Sequence, residues 1–313
     1  MKRSPRKPSA RPTPAAPTVS RLSFRVTHPE KVFFPNDGYT KGDLLQYYTA
    51  VAPQLLPIIR DRPLALKRYP GGVGKPFFFQ HNAPERVPRG VRVESVHVET
   101  DDAAHDRLVG GALATLLYTV QLGCIGVDPW HARIDSLASP DYAVIDLDPG
   151  AQVSFSRIVQ VALWVKTVLD AAGLRGSAKT SGSRGIHVYI PLPRATSATD
   201  ALAVAQHVAG AVAQQHPAEA TIIRELRQRG AERVYVDYLQ NSRGKTVAAA
   251  YGVRAVDGAR VSMPLRWSEL TASLDPHDFT IRTAPARIAK IGDVWGEGMA
   301  KRNTASAIRE LLR

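Results

Sequence analysis

The chain predicts a fold that mixes helices and strands throughout, α/β or α+β, and three observations carry that expectation. Four stretches place apolar residues at helical spacing. Five others are short runs of β-favouring residues. The two kinds alternate along the chain without an internal repeat.

The elements follow in order. Thr40 can cap a helix from Lys41 through about Ile59, with Leu44, Leu45, Tyr48 and Val51 at helical spacing. A strand over Leu64 to Tyr69 ends at the turn Pro70-Gly71-Gly72. Residues 106–123 read as a buried helix through Leu108, Leu113, Leu116, Leu117 and Val120. Residues 141–148 read as a strand ending in acids. Phe155 to about Ala172 reads as an amphipathic helix. Ile186 to Leu192 is a strand after a Gly/Ser loop, and Thr199 to about Gln215 an alanine-rich helix. Val234 to Leu239 and residues 246–255 are the last expected strands.

With 313 residues the chain permits one large domain or two modest ones. Lys and Arg number 41 against 28 Asp and Glu, a net charge of +13, which favours a polyanionic partner such as nucleic acid or an anionic membrane surface. Residues 1–20 hold five Pro and five Lys or Arg without an acid. We read 1–21 as a disordered basic arm, because it cannot bury enough apolar surface to fold. The chain after residue 20 keeps +8, so its basicity is not confined to the arm. The single Cys124 excludes an internal disulfide and a cysteine-based zinc cluster. No apolar stretch approaches the ~18 residues of a membrane span, and no apolar run follows the basic N-terminus as in a signal peptide. A cytoplasmic, nucleoid-associated protein without membrane partners is the expectation.

The most informative segment is Asp141-Tyr142-Ala143-Val144-Ile145-Asp146-Leu147-Asp148-Pro149-Gly150. On a strand, acids at i and i+2 share one face a few ångströms apart. They repel each other there, and a hard divalent cation relieves that conflict. Taken alone, Asp-x-Asp is equally a pair of turn acids. Asp237 strengthens the metal reading, because it lies in a second β-favouring run, Arg233-Val234-Tyr235-Val236-Asp237-Tyr238. An acid there is costly to bury unless paired or metal-bound. Three carboxylates can hold two ions ~3.5–4 Å apart, as in-line phosphoryl or nucleotidyl displacement requires.

Two loops supply anion-binding groups. Lys179-Thr180-Ser181-Gly182-Ser183-Arg184-Gly185-Ile186-His187 combines hydroxyls, glycines and cations, without the spacing of a Walker A loop. Gln240-Asn241-Ser242-Arg243-Gly244-Lys245-Thr246 is a second basic turn, with Arg254 on the strand expected next.

These motifs together resemble one family. Asp146-Leu147-Asp148-Pro149, the Lys179-to-His187 loop and the run from Val236 to Thr246 are similar to the polymerase domain of bacterial ligase D, in the archaeo-eukaryotic primase superfamily. So are the opening His28-Pro29-Glu30-Lys31-Val32-Phe33-Phe34-Pro35 and the closing Asp278-Phe279-Thr280 with Pro285-Ala286-Arg287. The match runs from about Thr27 to about Trp295. It implies an α+β primase-like core, with mixed, largely antiparallel sheets flanked by helices, over residues 22–300, and a C-terminal basic helix or tail over 301–313.

The resemblance also implies an activity. A primer 3′-hydroxyl would attack the α-phosphate of a nucleoside triphosphate, preferentially a ribonucleotide, with template-dependent addition and untemplated terminal addition both open. It implies Asp146, Asp148 and Asp237 as ligands of two Mn²⁺ or Mg²⁺ ions, and Ser181, His187, Lys245, Arg254 and Lys179 as nucleotide contacts. Lys31 and Lys41 match lysines that grip a 5′-phosphate at a gap or break. Phe78 and Phe79 match aromatics that stack on nucleic acid, and Phe77 could shift that register. The implied setting is nonhomologous end joining or related gap repair, with Ku and a separate ATP-dependent ligase as partners, because no ligase module follows.

Two positions depart from the family. Asp128 stands where the family usually has His, with His131 as a possible substitute, and Ala250 stands where Pro is common. An inactive module that bridges DNA ends, and a two-metal nuclease, are the rival readings.

Overall fold

The computed structural model describes residues 22–98 and 103–313; the expected basic arm lies outside them. A short hairpin, β1 (Val32–Phe34) and β2 (Tyr39–Thr40), leads into helix α1 (Lys41–Ile59). Strands β3 (Leu64–Arg68) and β4 (Phe78–Gln80) follow, then the hairpin β5 (Val93–Val98) and β6 (Ala103–Leu108). Next come α2 (Leu113–Gln121), β7 (Asp128–Pro129), β8 (Tyr142–Pro149) and α3 (Phe155–Ala171). Strands β9 (Ser177–Thr180) and β10 (Ile186–Pro191) precede α4 (Ala198–Gln215). Then β11 (Ala220–Thr221), the single-turn α5 (Leu226–Arg229), β12 (Val234–Asp237) and β13 (Pro264–Leu265) complete the strands. Helices α6 (Ala284–Ile291), α7 (Val294–Met299) and α8 (Ala305–Leu311) close the chain.

The main sheet has six strands in the order β11-β12-β8-β10-β9-β13. Every pairing in it is antiparallel except β11 with β12. One face carries Ala143, Ile145, Leu147, Val188 and Ile190, all without solvent exposure. The inner stripes of α3 (Ile158, Val161, Ala162, Val165) and α4 (Ala201, Val204, Ala205, Val208) pack there. Each large aliphatic buried in this way contributes ~1.5–3 kcal/mol. The other face carries the acids; at its Tyr142 end Arg62 and His131, from the segments that follow α1 and β7, pack on the tyrosine ring, and α1 packs on α2 with the three-stranded sheet β4-β3-β7 beside them in sequence. The result is an α+β fold with mixed, mostly antiparallel sheets.

Local chemistry explains the boundaries. Thr40 caps α1 in a capping box: its hydroxyl accepts from Asp43 N at 3.2 Å, and its N–H donates to Asp43 Oδ2 at 2.7 Å. Ser154 and Ser197 cap α3 and α4 through the same kind of contact. Cys124 packs as a small hydrophobe, and burial pushes its thiol up to about 12. Among the described residues, no helix is long and apolar enough to cross a membrane.

Two expected elements differ. The helix over 106–123 is only Leu113–Gln121, and its first residues belong to β6. The break falls at Gly110-Gly111: Gly111 adopts φ +118°, a region closed to helix, and any side chain on Gly110 would strike the Ile59 carbonyl. The expected strand over 246–255 is an irregular buried segment with isolated bridges at Thr246 and Val253. Its apolar run does pack inside, but Tyr251 has φ +65° and Gly252 N closes a turn onto Ala249 O at 3.0 Å, so the path is not extended.

Candidate active site

The register of the main sheet assembles the site. Asp146 on β8 pairs with Asp237 on β12 on one side and with His187 on β10 on the other. His187 in turn pairs with Lys179 on β9. Directly opposed residues of antiparallel strands point to the same face. The side chains therefore form a row across the sheet, Asp237, Asp146, His187, Lys179. Asp148, two residues after Asp146, lies on the same face opposite Tyr235.

Lys179 is fully buried, yet its ammonium is well supplied with acceptors. Nζ lies 2.7 Å from His187 Nδ1 and donates to Ser262 Oγ at 2.5 Å. With Lys179 Nζ donating to Nδ1, a neutral His187 ring carries its proton on Nε2. That nitrogen stands 3.2 Å from Asp146 Oδ1. The contact is close but poorly directed, and Asp146 Oδ1 is buried without a well-aligned donor. Burial and then Lys179 push His187 down to about 4, so it is neutral at pH 7. Burial acts against ionisation of Asp146. His187, Lys179 and Arg254 outweigh it and hold the carboxyl below its ordinary value. Burial also drives the Lys179 ammonium well below its ordinary value, while Asp146 and Asp128 work to keep it charged.

Asp237 is buried and held from its own strand end. Oδ1 accepts from Leu239 N at 2.7 Å and from the Tyr235 hydroxyl at 3.2 Å, and Oδ2 accepts from Gln240 Nε2 at 2.9 Å. These bonds meet part of the cost of burying it. Asp148 lies at the open end of β8 and faces solvent. Its carboxyl is pushed up to about 6, by the protein around it and then by Asp146 and Asp237, with Arg229 and Arg184 opposing. Among the described residues, no three His, Cys, Asp or Glu side chains are already drawn together into a metal cage. The donor set nonetheless suits Mg²⁺ or Mn²⁺: the three side chains are carboxylates, Asp146 Oδ1 is orphaned, and Asp146 and Asp237 still push the Asp148 carboxyl up.

The Ser181 loop is organised by its own hydroxyl. Ser181 Oγ accepts from Ser183 N at 3.1 Å and from Gly185 N at 3.0 Å, which leaves its O–H hydrogen free to donate. Gly182 sits at φ +70°, where an added Cβ would come 2.6 Å from Arg254 Cγ. Arg254 Nη1 donates to Ser181 O at 2.8 Å, so the cation is tied to the loop although it lies outside any strand. Asp128 lies half-buried on β7 opposite Ala65 and diagonal to Lys67 of β3. Burial raises its carboxyl, and Arg254, Lys67 and Lys179 oppose that rise.

Other expected residues lie apart from the acids. Lys245 is exposed in the turn after Asn241, beside a small cavity shared with Trp130 and His131. His131 packs on Tyr142 at 5.1 Å and does not enter the carboxylate row. Lys31 is exposed and bonds Pro70 O, whereas Lys41 is buried, donating to Thr27 O at 2.7 Å and to Gln121 Oε1 at 3.2 Å. Phe78 and Phe79 are exposed on β4 beside Phe77. Lys67 Nζ sits 4.0 Å from the Phe77 ring centroid, and Arg68 lies over Phe78 at 5.0 Å. Sequence reasoning missed Ser262, which anchors Lys179, and Gln240, which anchors Asp237. Ser262 carries no sequence signal, while Gln240 stands three residues after the acid it holds.

Residues 40–295 match the family model for the LigD primase-polymerase domain. The chain is 32% identical over 317 residues to the multifunctional non-homologous end joining protein LigD of Pseudomonas aeruginosa, covering 99% of this chain and 37% of that protein. It is 34% identical over 279 residues to the bifunctional non-homologous end joining protein LigD of Bacillus subtilis, covering 88% and 44%. It thus spans less than half the length of these relatives. The solved polymerase domain from Mycobacterium tuberculosis ligase D in complex with DNA superposes with a TM-score of 0.81 at 30% identity, covering 90% of this chain and 99% of that one. The chain belongs to the LigD primase-polymerase domain family, a family of DNA-directed nucleotidyltransferases.

Proposed function

We propose that the chain adds nucleotides, preferentially ribonucleotides, to DNA 3′ ends at gaps and breaks, in nonhomologous end joining or related gap repair. The observation that carries this reading is the placement of Asp146, Asp148 and Asp237 on one sheet face, with Asp237 directly across from Asp146. Asp146, Asp148 and Asp237 would hold two Mg²⁺ or Mn²⁺ ions. When bound there, such ions would supply a lowered pKa for the attacking 3′-hydroxyl and charge neutralisation for the departing pyrophosphate.

The remaining side chains position and screen charge. Lys179 fixes the His187 ring beside Asp146, and the two favour the ionised carboxylate from inside the sheet. The Ser181 hydroxyl and the Arg254 guanidinium meet phosphate oxygens of the triphosphate, with Lys245 as a further cation. Lys31, beside the buried Lys41, meets a 5′-phosphate, and the exposed Phe78 and Phe79 stack on bases without regard to sequence. The substrates are then nucleoside triphosphates and 5′-phosphorylated DNA at the nucleoid, with Ku and an ATP-dependent ligase as partners.

Extension of a gapped, 5′-phosphorylated duplex, with ribonucleotides and deoxyribonucleotides side by side, tests the reading. The expected result is metal-dependent addition, faster with ribonucleotides. No product with either set, in Mn²⁺ or in Mg²⁺, would contradict it and favour the end-bridging alternative. Strand shortening without triphosphate would favour a nuclease.

A further inference from the structure

Beyond the acids, the C-terminal end of β8 opens into a groove of about 680 Å³ that begins at Pro149, the residue after Asp148. Its walls come from the start of α3, the Ser181 loop and residues 272–277. One side is basic. Arg184 is exposed and, among the described residues, has no hydrogen-bond partner of its own. Arg260 donates to Ser183 O at 2.9 Å, while its Nε is buried without a partner. His277 adds an imidazole, and the wall's one acid, Asp275, lies 2.7 Å from its Nδ1. The exposed hydroxyls of Ser154, Ser156 and Ser273 line the rim. The other side is apolar, with Phe155 half-buried among Val153, Leu274 and Pro276.

A basic wall with hydroxyl donors facing an apolar wall with an aromatic ring is the chemistry that receives single-stranded nucleic acid: cations and hydroxyls take the phosphodiesters, and the ring takes a base. We propose that this groove holds an unpaired strand of the DNA substrate as it leaves the catalytic carboxylates, an assignment that rests on the polymerase reading above. Continuity with Asp148 gives the groove a strand to receive. The net positive charge outside the basic arm supplies the complementary field.

The test is binding of two fluorescent duplexes, one blunt and one with an unpaired tail of about ten nucleotides, without metal or triphosphate. Arg184→Ala should weaken binding to the tailed duplex by about three- to tenfold and lower its salt slope by about one. Ser273→Glu, an exposed rim change that leaves the Ser181 loop intact, should weaken tailed binding similarly. Both variants should bind blunt duplex as the parent does, and Ser273→Glu should extend a blunt-ended primer normally. Equal losses on both duplexes, or no loss on the tailed one, would overturn the proposal. Slower turnover at unchanged DNA affinity would also overturn it, marking the groove as a pyrophosphate exit. Because the readout needs no catalysis, a failure of the polymerase reading would leave this result interpretable.

Discussion

Asp146→Asn combined with Asp148→Asn abolishes primer extension, lowering its rate by about a thousandfold or more, while DNA binding is retained. The magnitude follows from the loss of two of three ligands from a metal site worth several kcal/mol of transition-state stabilisation, at about 1.4 kcal/mol per tenfold in rate. Asparagine keeps side-chain volume and removes charge, so the sheet register is preserved. Affinity for DNA is expected to hold or rise, because two negative charges leave a basic protein. Asp146→Asn carries a separate stability cost, since Lys179 is fully buried and loses its nearby carboxylate. A melting curve separates that cost from catalysis. Extension within tenfold of the parent by a folded double variant would refute the assignment.

Asp141→Ala lowers stability by about 3–5 kcal/mol, seen as a fall in Tm of about 10 °C or more. Three arginines converge on this carboxylate. Arg62 bonds it from a buried position, Arg133 Nε donates at 2.8 Å, and Arg302 Nη2 donates at 2.6 Å. Arg62 also donates to Ile58 O at 2.9 Å and Trp130 O at 3.2 Å, so its charge cannot move to water when Asp141 is removed. Arg302 bonds Leu192 O at 2.8 Å as well, which makes Asp141 a point where the C-terminal segment is fastened beside the start of β8. Burial acts against ionisation of Asp141, and Arg62, Arg302 and Arg133 outweigh it, so its carboxyl lies below the ordinary value. The stabilisation is therefore complete above about pH 4 and fades as acid protonates the folded-state carboxyl. An unchanged Tm would show that the arginines do not depend on this acid.

How much of this was legible in the sequence depended on how local each signal was. The strand bearing Asp146 and Asp148 was readable because a β-favouring run, paired acids and Pro149-Gly150 coincide within ten residues. The cap at Thr40 acts over three residues, and α1 begins at the next residue, where that cap places it. Residues 106–123 misled because Leu108 is apolar and buried like the helical leucines, although it is buried in a strand. The Gly110-Gly111 break depends on contact with Ile59, about fifty residues earlier in the chain.

The site divided in the same way. Asp237 could be picked out as an unusual acid, but its position across from Asp146 is a property of strand pairing that no spacing reveals. Lys179 reads in sequence as a surface cation of an anion-binding loop. In the fold it lies inside the sheet, because β9 is covered by β13 and Ser262 reaches it from a segment 83 residues away. Lys41 likewise reads as a free cation at a helix start, yet its ammonium bonds Thr27 and Gln121.

Three carboxylates from two neighbouring strands, Asp146, Asp148 and Asp237, are expected to take up divalent ions beside a bound triphosphate. Titration of Mn²⁺ followed by the electron paramagnetic resonance of the free ion measures this directly. With nucleoside triphosphate present, the parent protein should raise the bound total to two ions per bound nucleotide, against one for the nucleotide alone, and Asp146→Asn with Asp237→Asn should lose that added uptake. Equal uptake by the folded variant, or no saturable uptake by the parent, would contradict it.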